Sequence, residues 1–165
     1  MTMLELENVC KHFTLHNQNS AQLEVLNNVN LQVGAGECVV LDGPSGMGKS
    51  TLIKLVYANY RPTTGTIRLR QNDGSSLELG QASPRELVRM RRETVSYVSQ
   101  FLRVIPRVAA LDVVAEPLVE DASDPQAALE QARAEAQRWL ARLRIPERLW
   151  HLPPATFSGG EQQRI

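Results

Sequence analysis

A glycine-rich stretch followed by lysine and serine is the part of this sequence with the clearest chemical meaning. Its residues are Gly43-Pro44-Ser45-Gly46-Met47-Gly48-Lys49-Ser50, which fit the pattern of a glycine, four residues, and then Gly-Lys-Ser. Glycines allow successive backbone N–H groups to face inward, and a helix beginning near Lys49 would add the positive end of its dipole. The pattern therefore predicts a site for the phosphates of a nucleoside triphosphate.

Three side chains at the end of this phosphate loop have separate predicted roles. Lys49 would contact the β and γ phosphates, and Thr51 would support the α phosphate. Ser50 would offer its hydroxyl to Mg²⁺, a hard ion that takes oxygen ligands and leaves other positions to phosphate and water. An ordinary glycine-rich turn is the simplest alternative. The start of guanylate kinase also resembles this loop, so a nucleoside monophosphate kinase remains a second alternative.

The segments on either side of the loop decide whether it can work as a phosphate site. Glu37–Asp42 contains a continuous apolar run, which is typical of a strand covered on both faces in a parallel sheet. Lys49–Tyr57 has apolar residues at helical spacing, and Arg61–Gly65 ends that element with proline and glycine. The predicted order of strand, loop and helix is the context that a phosphate loop requires.

Further strands are predicted by alternation of apolar and polar residues. Leu4–Phe13 and Val25–Val33 have the period of half-buried antiparallel strands. Thr66–Arg70 and Leu77–Leu79 flank a turn and predict a hairpin. Val95–Ser99 predicts another buried strand. We therefore expect an antiparallel subdomain beside a parallel sheet.

Three helices are predicted between Ser83 and Leu143. Ser83 followed by Pro84 and by Glu86 is a capping-box arrangement, and it opens a helix through Arg92. A second helical region begins near Ala110, and a third runs from Asp124-Pro125 to about Leu143. The third has an apolar stripe of Leu129, Ala132, Ala136, Leu140 and Leu143. This helical block lies between two sets of strands.

Composition limits the classes of partner. The chain has 165 residues, and its 18 basic residues balance its 18 acidic ones, so no net charge attracts it to nucleic acid. We expect one domain, no nucleic-acid partner and no direct membrane insertion, because no run of about 18 apolar residues occurs. Cys10 and Cys38 do not make a disulfide framework. A cytoplasmic location is the expectation.

A second candidate phosphate-binding surface lies near the C-terminus, in Phe157–Arg164. Ser158 is placed to cap a helix whose third position is Glu161, while Gly159 and Gly160 would let bare backbone N–H groups approach an anion. The stretch resembles the signature motif of the ATP-binding-cassette family, usually Leu-Ser-Gly-Gly-Gln, with Phe and Glu standing here for the commoner Leu and Gln.

This resemblance implies an α/β fold of the P-loop NTPase type, with an antiparallel β subdomain and a helical signature subdomain. It implies ATP and Mg²⁺ as cofactors, and a head-to-tail dimer in which the signature binds the γ phosphate of the partner's ATP. It makes Lys49 and Gln100 catalytic, with Gln100 also contacting Mg²⁺ beside Ser50. Phe13, near the end of the first strand, takes the position of the ring that stacks on adenine.

The resemblance also implies further residues beyond those present. We read residues 1–165 as one nucleotide-binding domain lacking its C-terminal part: the Walker B strand, the D-loop and the switch histidine. His12, His16 and His151 all precede the signature and have no metal-ligand spacing. We expect this chain alone to bind ATP with little turnover.

Three other segments resemble the L-subunit family of the phosphonate carbon–phosphorus lyase system. They are Tyr57–Tyr60, Val98–Arg107 and Pro146–Leu152. That resemblance implies a cytoplasmic ATPase that works with the lyase core complex and a second cassette subunit, with Phe101–Arg107 as a docking surface. An ATPase subunit of an ABC transporter is the alternative, and a non-catalytic ATP-binding module is another.

Overall fold

A computed structural model describes residues 1–15, 21–99, 106–119 and 125–165. The chain forms two compact units, Met1–Tyr97 and Val98–Ile165. The first unit contains a sheet and two helices, and the second is helical.

The sheet of the first unit has four antiparallel strands in the order β2-β1-β3-β4. Its strands are β1 (Thr2–Leu15), β2 (Ala21–Gly34), β3 (Thr64–Arg70) and β4 (Ser76–Glu78). All the antiparallel strands predicted from alternation are therefore confirmed, including the hairpin, although β1 and β2 are longer than the alternating segments indicated. The antiparallel β subdomain is present.

Two helices pack with this sheet: α1 (Lys49–Val56) and α2 (Pro84–Glu93). The predicted capping box begins α2, since the Ser83 hydroxyl accepts from the Glu86 N–H and the Glu86 carboxylate accepts from the Ser83 N–H at 2.7 Å. Both helices contribute to one apolar core. Its buried members are Leu6, Val9, Leu26, Leu52, Leu55, Ile67, Leu69, Leu77, Leu79, Ala82 and Met90.

Two predicted buried strands are wrong for this structure. Glu37–Asp42 and Val95–Ser99 lie outside the sheet, and although Leu41 and Val95 pack partly against the core, Val40 is 81% and Val98 is 89% exposed. Cys38, also predicted in a strand, is exposed. A strand exists only where a neighbour supplies a ladder of hydrogen bonds, and the sheet found among the described residues includes neither stretch. The apolar runs indicated residues that favour burial, but not the partner that would bury them.

The second unit contains α3 (Ala110–Ala115), α4 (Pro125–Arg142) and α5 (Gly159–Gln162), with short 3-10 turns between them. Its core consists of Ala110, Leu111, Ala115, Ala132, Ala136, Leu140, Ile145, Leu149 and Phe157. The middle of the stripe predicted for α4 is confirmed. Leu143 is 40% exposed because the helix ends before it, and Ile145 is buried instead.

Main-chain and charged contacts join the helices of this unit. The N–H groups of Ala110 and Leu111 donate to the carbonyls of Leu152 and Trp150, each at 3.0 Å, and so satisfy the first turn of α3. Arg133 of α4 pairs with Asp112 of α3 at 2.8 Å. Among the helices in the described ranges, none combines the length and hydrophobicity that a bilayer crossing requires.

Candidate functional site

The phosphate loop leads directly into α1, and its backbone requires glycine. Gly43, Gly46 and Gly48 have φ values of 133°, 89° and 86°, which side chains rarely allow. Gly48 is the N-cap residue of α1. A Cβ atom on it would lie 2.8 Å from the carbonyl oxygen of Val25, so only glycine lets the loop approach β2 this closely.

The side chain of Lys49 folds back over the loop. Its Nζ donates to the carbonyl oxygens of Gly43 at 2.5 Å and Pro44 at 2.8 Å. The carboxylate of Asp42 accepts from the Gly43 N–H at 2.7 Å and fixes the start of the loop. The loop therefore holds the ammonium group through two neutral carbonyls near its start. Phosphate oxygens would be stronger partners for this cation, because hydrogen bonds between ionised groups are the stronger ones.

The remaining loop residues are open to solvent or nearly so. Pro44, Ser45, Met47 and Ser50 are exposed, and Thr51 is half-buried. Ser50 and Thr51 belong to the first turn of α1, where backbone N–H groups have no partner within the helix. These N–H groups, the hydroxyl of Ser50 and the Lys49 ammonium fit a polyphosphate with Mg²⁺, since a hard cation takes oxygen ligands. The residues present therefore suit the cofactors that the sequence predicted.

The predicted base-stacking ring lies in the same unit. Phe13 is half-buried on β1, and the ring of Tyr60 meets it nearly edge-on, with centroids 5.3 Å apart and planes at 80°. Nζ of Lys11 lies 4.9 Å from the centre of the Phe13 ring. Sequence reasoning missed both neighbours. The spacing of Lys11 and Phe13, two residues apart on one strand face, could have indicated the first, but no local signal indicates Tyr60.

The signature turn has the predicted capping box at the start of α5. The Ser158 hydroxyl accepts from the Glu161 N–H at 3.4 Å, and the Glu161 carboxylate accepts from the Ser158 N–H at 2.9 Å and from its hydroxyl at 2.7 Å. The hydroxyl donor first, and then the N–H donor, lower the pKa of Glu161. Gly159 and Gly160 have open space where a Cβ would be. The turn therefore presents bare backbone to solvent.

Arg164 connects this turn to the end of α4. Its Nε donates to the Gly160 carbonyl at 3.1 Å, and its Nη1 donates to the carbonyls of Leu143 at 3.1 Å and Arg144 at 3.3 Å. The ring of Phe157 is buried in the core. The signature turn is therefore held from both sides, and the role of Arg164 was not predicted.

Not every predicted site residue can be placed. Gln100 lies outside the described residues, as do His16 and the 101–105 part of the predicted docking surface. The phosphate loop and Phe13 belong to the first unit, and Ser158–Glu161 belong to the second. The roles assigned to all these residues stay predictions.

Comparison with known proteins identifies a family. The family model described as "ABC transporter" matches residues 26–165. The chain is 37% identical over 162 residues to the lipoprotein-releasing system ATP-binding protein LolD of Paramagnetospirillum magneticum, covering 98% of this chain and 66% of that protein. It is also 37% identical over 163 residues to the macrolide export ATP-binding/permease protein MacB of Brucella abortus, covering 99% of this chain and 23% of that protein.

A solved structure supports the same grouping. The dimeric ATP-binding cassette MJ0796, in a post-hydrolysis state bound to ADP and Pi, matches with a TM-score of 0.82 and 32% identity, covering 98% of this chain and 66% of that one. The chain thus spans just under two thirds of this cassette and of LolD. The predicted fold class, a cassette-type P-loop NTPase with an antiparallel β subdomain, is confirmed by this match. With its phosphate loop, its signature turn and a family match over 140 of its 165 residues, 26 to 165, the chain belongs to the ABC transporter family as an ATP-binding cassette domain.

Proposed function

We propose that this chain binds ATP with Mg²⁺ and is the nucleotide-binding part of an ATP-hydrolysing cassette subunit. The observation that carries the proposal is the loop Gly43–Ser50, which has three glycines with positive φ and whose Gly43 and Pro44 carbonyls accept from the Lys49 ammonium at the start of α1. The cation and the helix N-terminus attract the same anion. We keep the expectation that this chain alone binds ATP with little turnover.

Equilibrium binding of ATP in the presence of Mg²⁺ tests this proposal. Replacing Lys49 by Ala should weaken ATP binding by about 10- to 100-fold, because a hydrogen-bonded charge contributes about 1.5–3 kcal/mol. Arg85→Ala, which removes an exposed cation in the first turn of α2, is the control and should weaken it far less. Unchanged ATP affinity in Lys49→Ala would exclude the loop as the phosphate site.

We also propose a second cassette subunit as a partner. The open backbone at Gly159 and Gly160 supports this, since it can approach a phosphate that is bound by the second subunit. The cassette MJ0796, which is similar over nearly the whole of this chain, is described as dimeric. ATP-dependent association should be visible by light scattering of the full-length protein. A protein that remains monomeric at saturating ATP, under conditions that prevent hydrolysis, would contradict this part of the proposal.

A membrane permease is the partner class that the comparisons favour. The similar proteins are named as components of lipoprotein-releasing and macrolide-export systems, and the family is that of ABC transporters. On this basis the chain would act at the cytoplasmic face of a membrane through a separate or fused permease. We expect the protein to co-purify with membranes, and to leave the membrane fraction when the permease is extracted under mild conditions.

The carbon–phosphorus lyase core complex is a second candidate partner. Its support is the resemblance of Tyr57–Tyr60, Val98–Arg107 and Pro146–Leu152 to the lyase L-subunit family, and none of the comparisons adds to it. The two candidates give opposite results in one assay. Stimulation of ATP turnover by the lyase core, with no membrane association, would select the lyase system, and the reverse would select a transporter. Family membership leaves the monophosphate-kinase alternative without support.

A further inference from the structure

The segment that follows α1 is tied to β1 at several points. Nζ of Lys11 donates to the Arg61 carbonyl at 2.9 Å, the His12 N–H donates to the Thr63 hydroxyl at 2.9 Å, and the Thr63 N–H donates to the Cys10 carbonyl at 2.8 Å. These hydrogen bonds fix residues 61–63 against the same part of β1 that carries Phe13.

The same segment is also tied to α1. The Asn59 N–H donates to the carbonyl of Lys54 at 2.8 Å, and the Tyr60 N–H donates to that carbonyl at 3.4 Å. Nζ of Lys54 lies 5.8 Å from the centre of the Tyr60 ring. Because α1 begins at the phosphate loop, Tyr60 stands between the helix that carries Lys49 and the strand that carries Phe13.

Tyr60 and Lys11 together restrict the Phe13 ring. Tyr60 meets it edge-on at 5.3 Å, a geometry that aromatic pairs prefer. The Lys11 ammonium lies 4.9 Å from the centre of the Phe13 ring and 5.8 Å from that of Tyr60, within the range of cation–π attraction. Any other orientation of the Phe13 ring would lose the aromatic or the cation–π contact, so the two contacts together favour the orientation observed.

We propose that Tyr60 and Lys11 are positioning residues for the nucleotide base. They hold the Phe13 ring at a fixed place relative to the phosphate loop, so that a base and its phosphates are bound at once. This inference rests on the proposed function, because it assumes that the phosphate loop binds a nucleotide. It adds two residues that do not touch the phosphates and that act through Phe13.

Comparing ATP with inorganic tripolyphosphate separates a base effect from a phosphate effect. In the full-length protein, Tyr60→Ala should weaken ATP binding by about 2- to 10-fold, the range expected for one lost aromatic pair. Its tripolyphosphate affinity should stay unchanged, because that ligand has no base. Tyr60→Phe keeps the ring and should bind ATP like the parent. Lys11→Met keeps the aliphatic stem but not the cation, and it should also weaken ATP binding while leaving tripolyphosphate affinity unchanged.

A double-mutant cycle with Phe13→Ala shows whether Tyr60 acts through that ring. If it does, Tyr60→Ala has no further effect on ATP affinity once Phe13 is Ala. Equal weakening of ATP and tripolyphosphate by Tyr60→Ala, or an effect that persists in the Phe13→Ala background, would overturn the inference. Lys49→Ala distinguishes this from failure of the proposed function, because it should weaken both ligands whether or not Tyr60 positions the base.

Discussion

A Cβ atom placed on Gly48 would lie 2.8 Å from the carbonyl oxygen of Val25. That carbonyl belongs to β2, where Val25 lies at a register shift between Glu24 and Leu26, which are paired with β1. The phosphate loop therefore reaches its shape by direct contact between the backbone at Gly48 and a strand of the antiparallel sheet. Any side chain at position 48 must displace either the loop or the strand.

Gly48→Ala should lower both stability and ATP affinity. The substitution adds a steric clash to a left-handed backbone conformation that alone costs a non-glycine residue about 1–2 kcal/mol. Gly46→Ala is the matched control, because its φ of 89° is similar but nothing lies within 4 Å of its Cβ position. Thermal unfolding of the two variants measures the difference. Equal melting temperatures would show that contact with β2 does not matter.

Gly159→Ala should separate stability from function. Position 159 is the first residue of α5 and has open space around it, and alanine favours a helix over glycine by up to about 1 kcal/mol. The melting temperature should therefore hold or rise slightly. ATP-dependent association should fall, since the methyl group covers backbone that the proposed partner's phosphate approaches. Gln163→Ala, at the other end of α5, should leave association intact, and a Gly159→Ala protein that associates normally would contradict the proposed dimer.

The capping box of α5 predicts a pH dependence. Because the pKa of Glu161 is lowered in the folded protein, chiefly by the Ser158 hydroxyl, its ionised form is bound more strongly when folded. Its contribution is complete above the ordinary carboxyl pKa of 4.5 and is lost as the pH falls through the folded value. Glu161→Gln keeps a capping side chain but does not titrate.

The parent should therefore be more stable than Glu161→Gln at pH 7, and this difference should shrink below about pH 4.5. Melting temperatures of both proteins across this range measure it. Glu130→Gln, on an exposed position of α4, controls for general loss of charge. A difference that stays constant with pH would show that the carboxylate is not held by Ser158.

Arg164→Ala should destabilise the second unit. It removes three hydrogen bonds between a guanidinium and main-chain carbonyls, each of which contributes about 0.5–1.5 kcal/mol or more. Arg138→Ala is the control, since Arg138 makes an exposed pair with Glu135 on one helix, and such pairs contribute little. Hydrogen exchange of the amides of α5 should rise in Arg164→Ala and stay unchanged in Arg138→Ala. Unchanged exchange in both would show that Arg164 does not hold the signature turn.

Local patterns predicted local structure well. The cap residues Ser83 and Ser158 were identified from the glutamate three positions later, and both capping boxes are present. A capping box involves only four consecutive residues, so the sequence contains all of its parts. The phosphate loop was recognised for the same reason.

Features that depend on distant residues could not be predicted. The apolar runs at Glu37–Asp42 and Val95–Ser99 predicted buried strands, but a strand needs a partner that such a run does not specify. The contact of Tyr60 with Phe13 joins residues 47 positions apart, and no local sequence pattern specifies that pairing. The sequence motif identifies Gly48, whereas its contact with Val25 depends on how the chain folds and can be seen only in the structure.

The link from Arg164 to the end of α4 has an evolutionary consequence. Its acceptors there are the main-chain carbonyls of Leu143 and Arg144, which every amino acid possesses. Substitutions at positions 143 and 144 can therefore accumulate without removing the acceptors, whereas the donors belong to the side chain of Arg164. The side chains of the two residues that follow α4 can then diverge in sequence between descendants, while the signature turn stays attached through the side chain of Arg164.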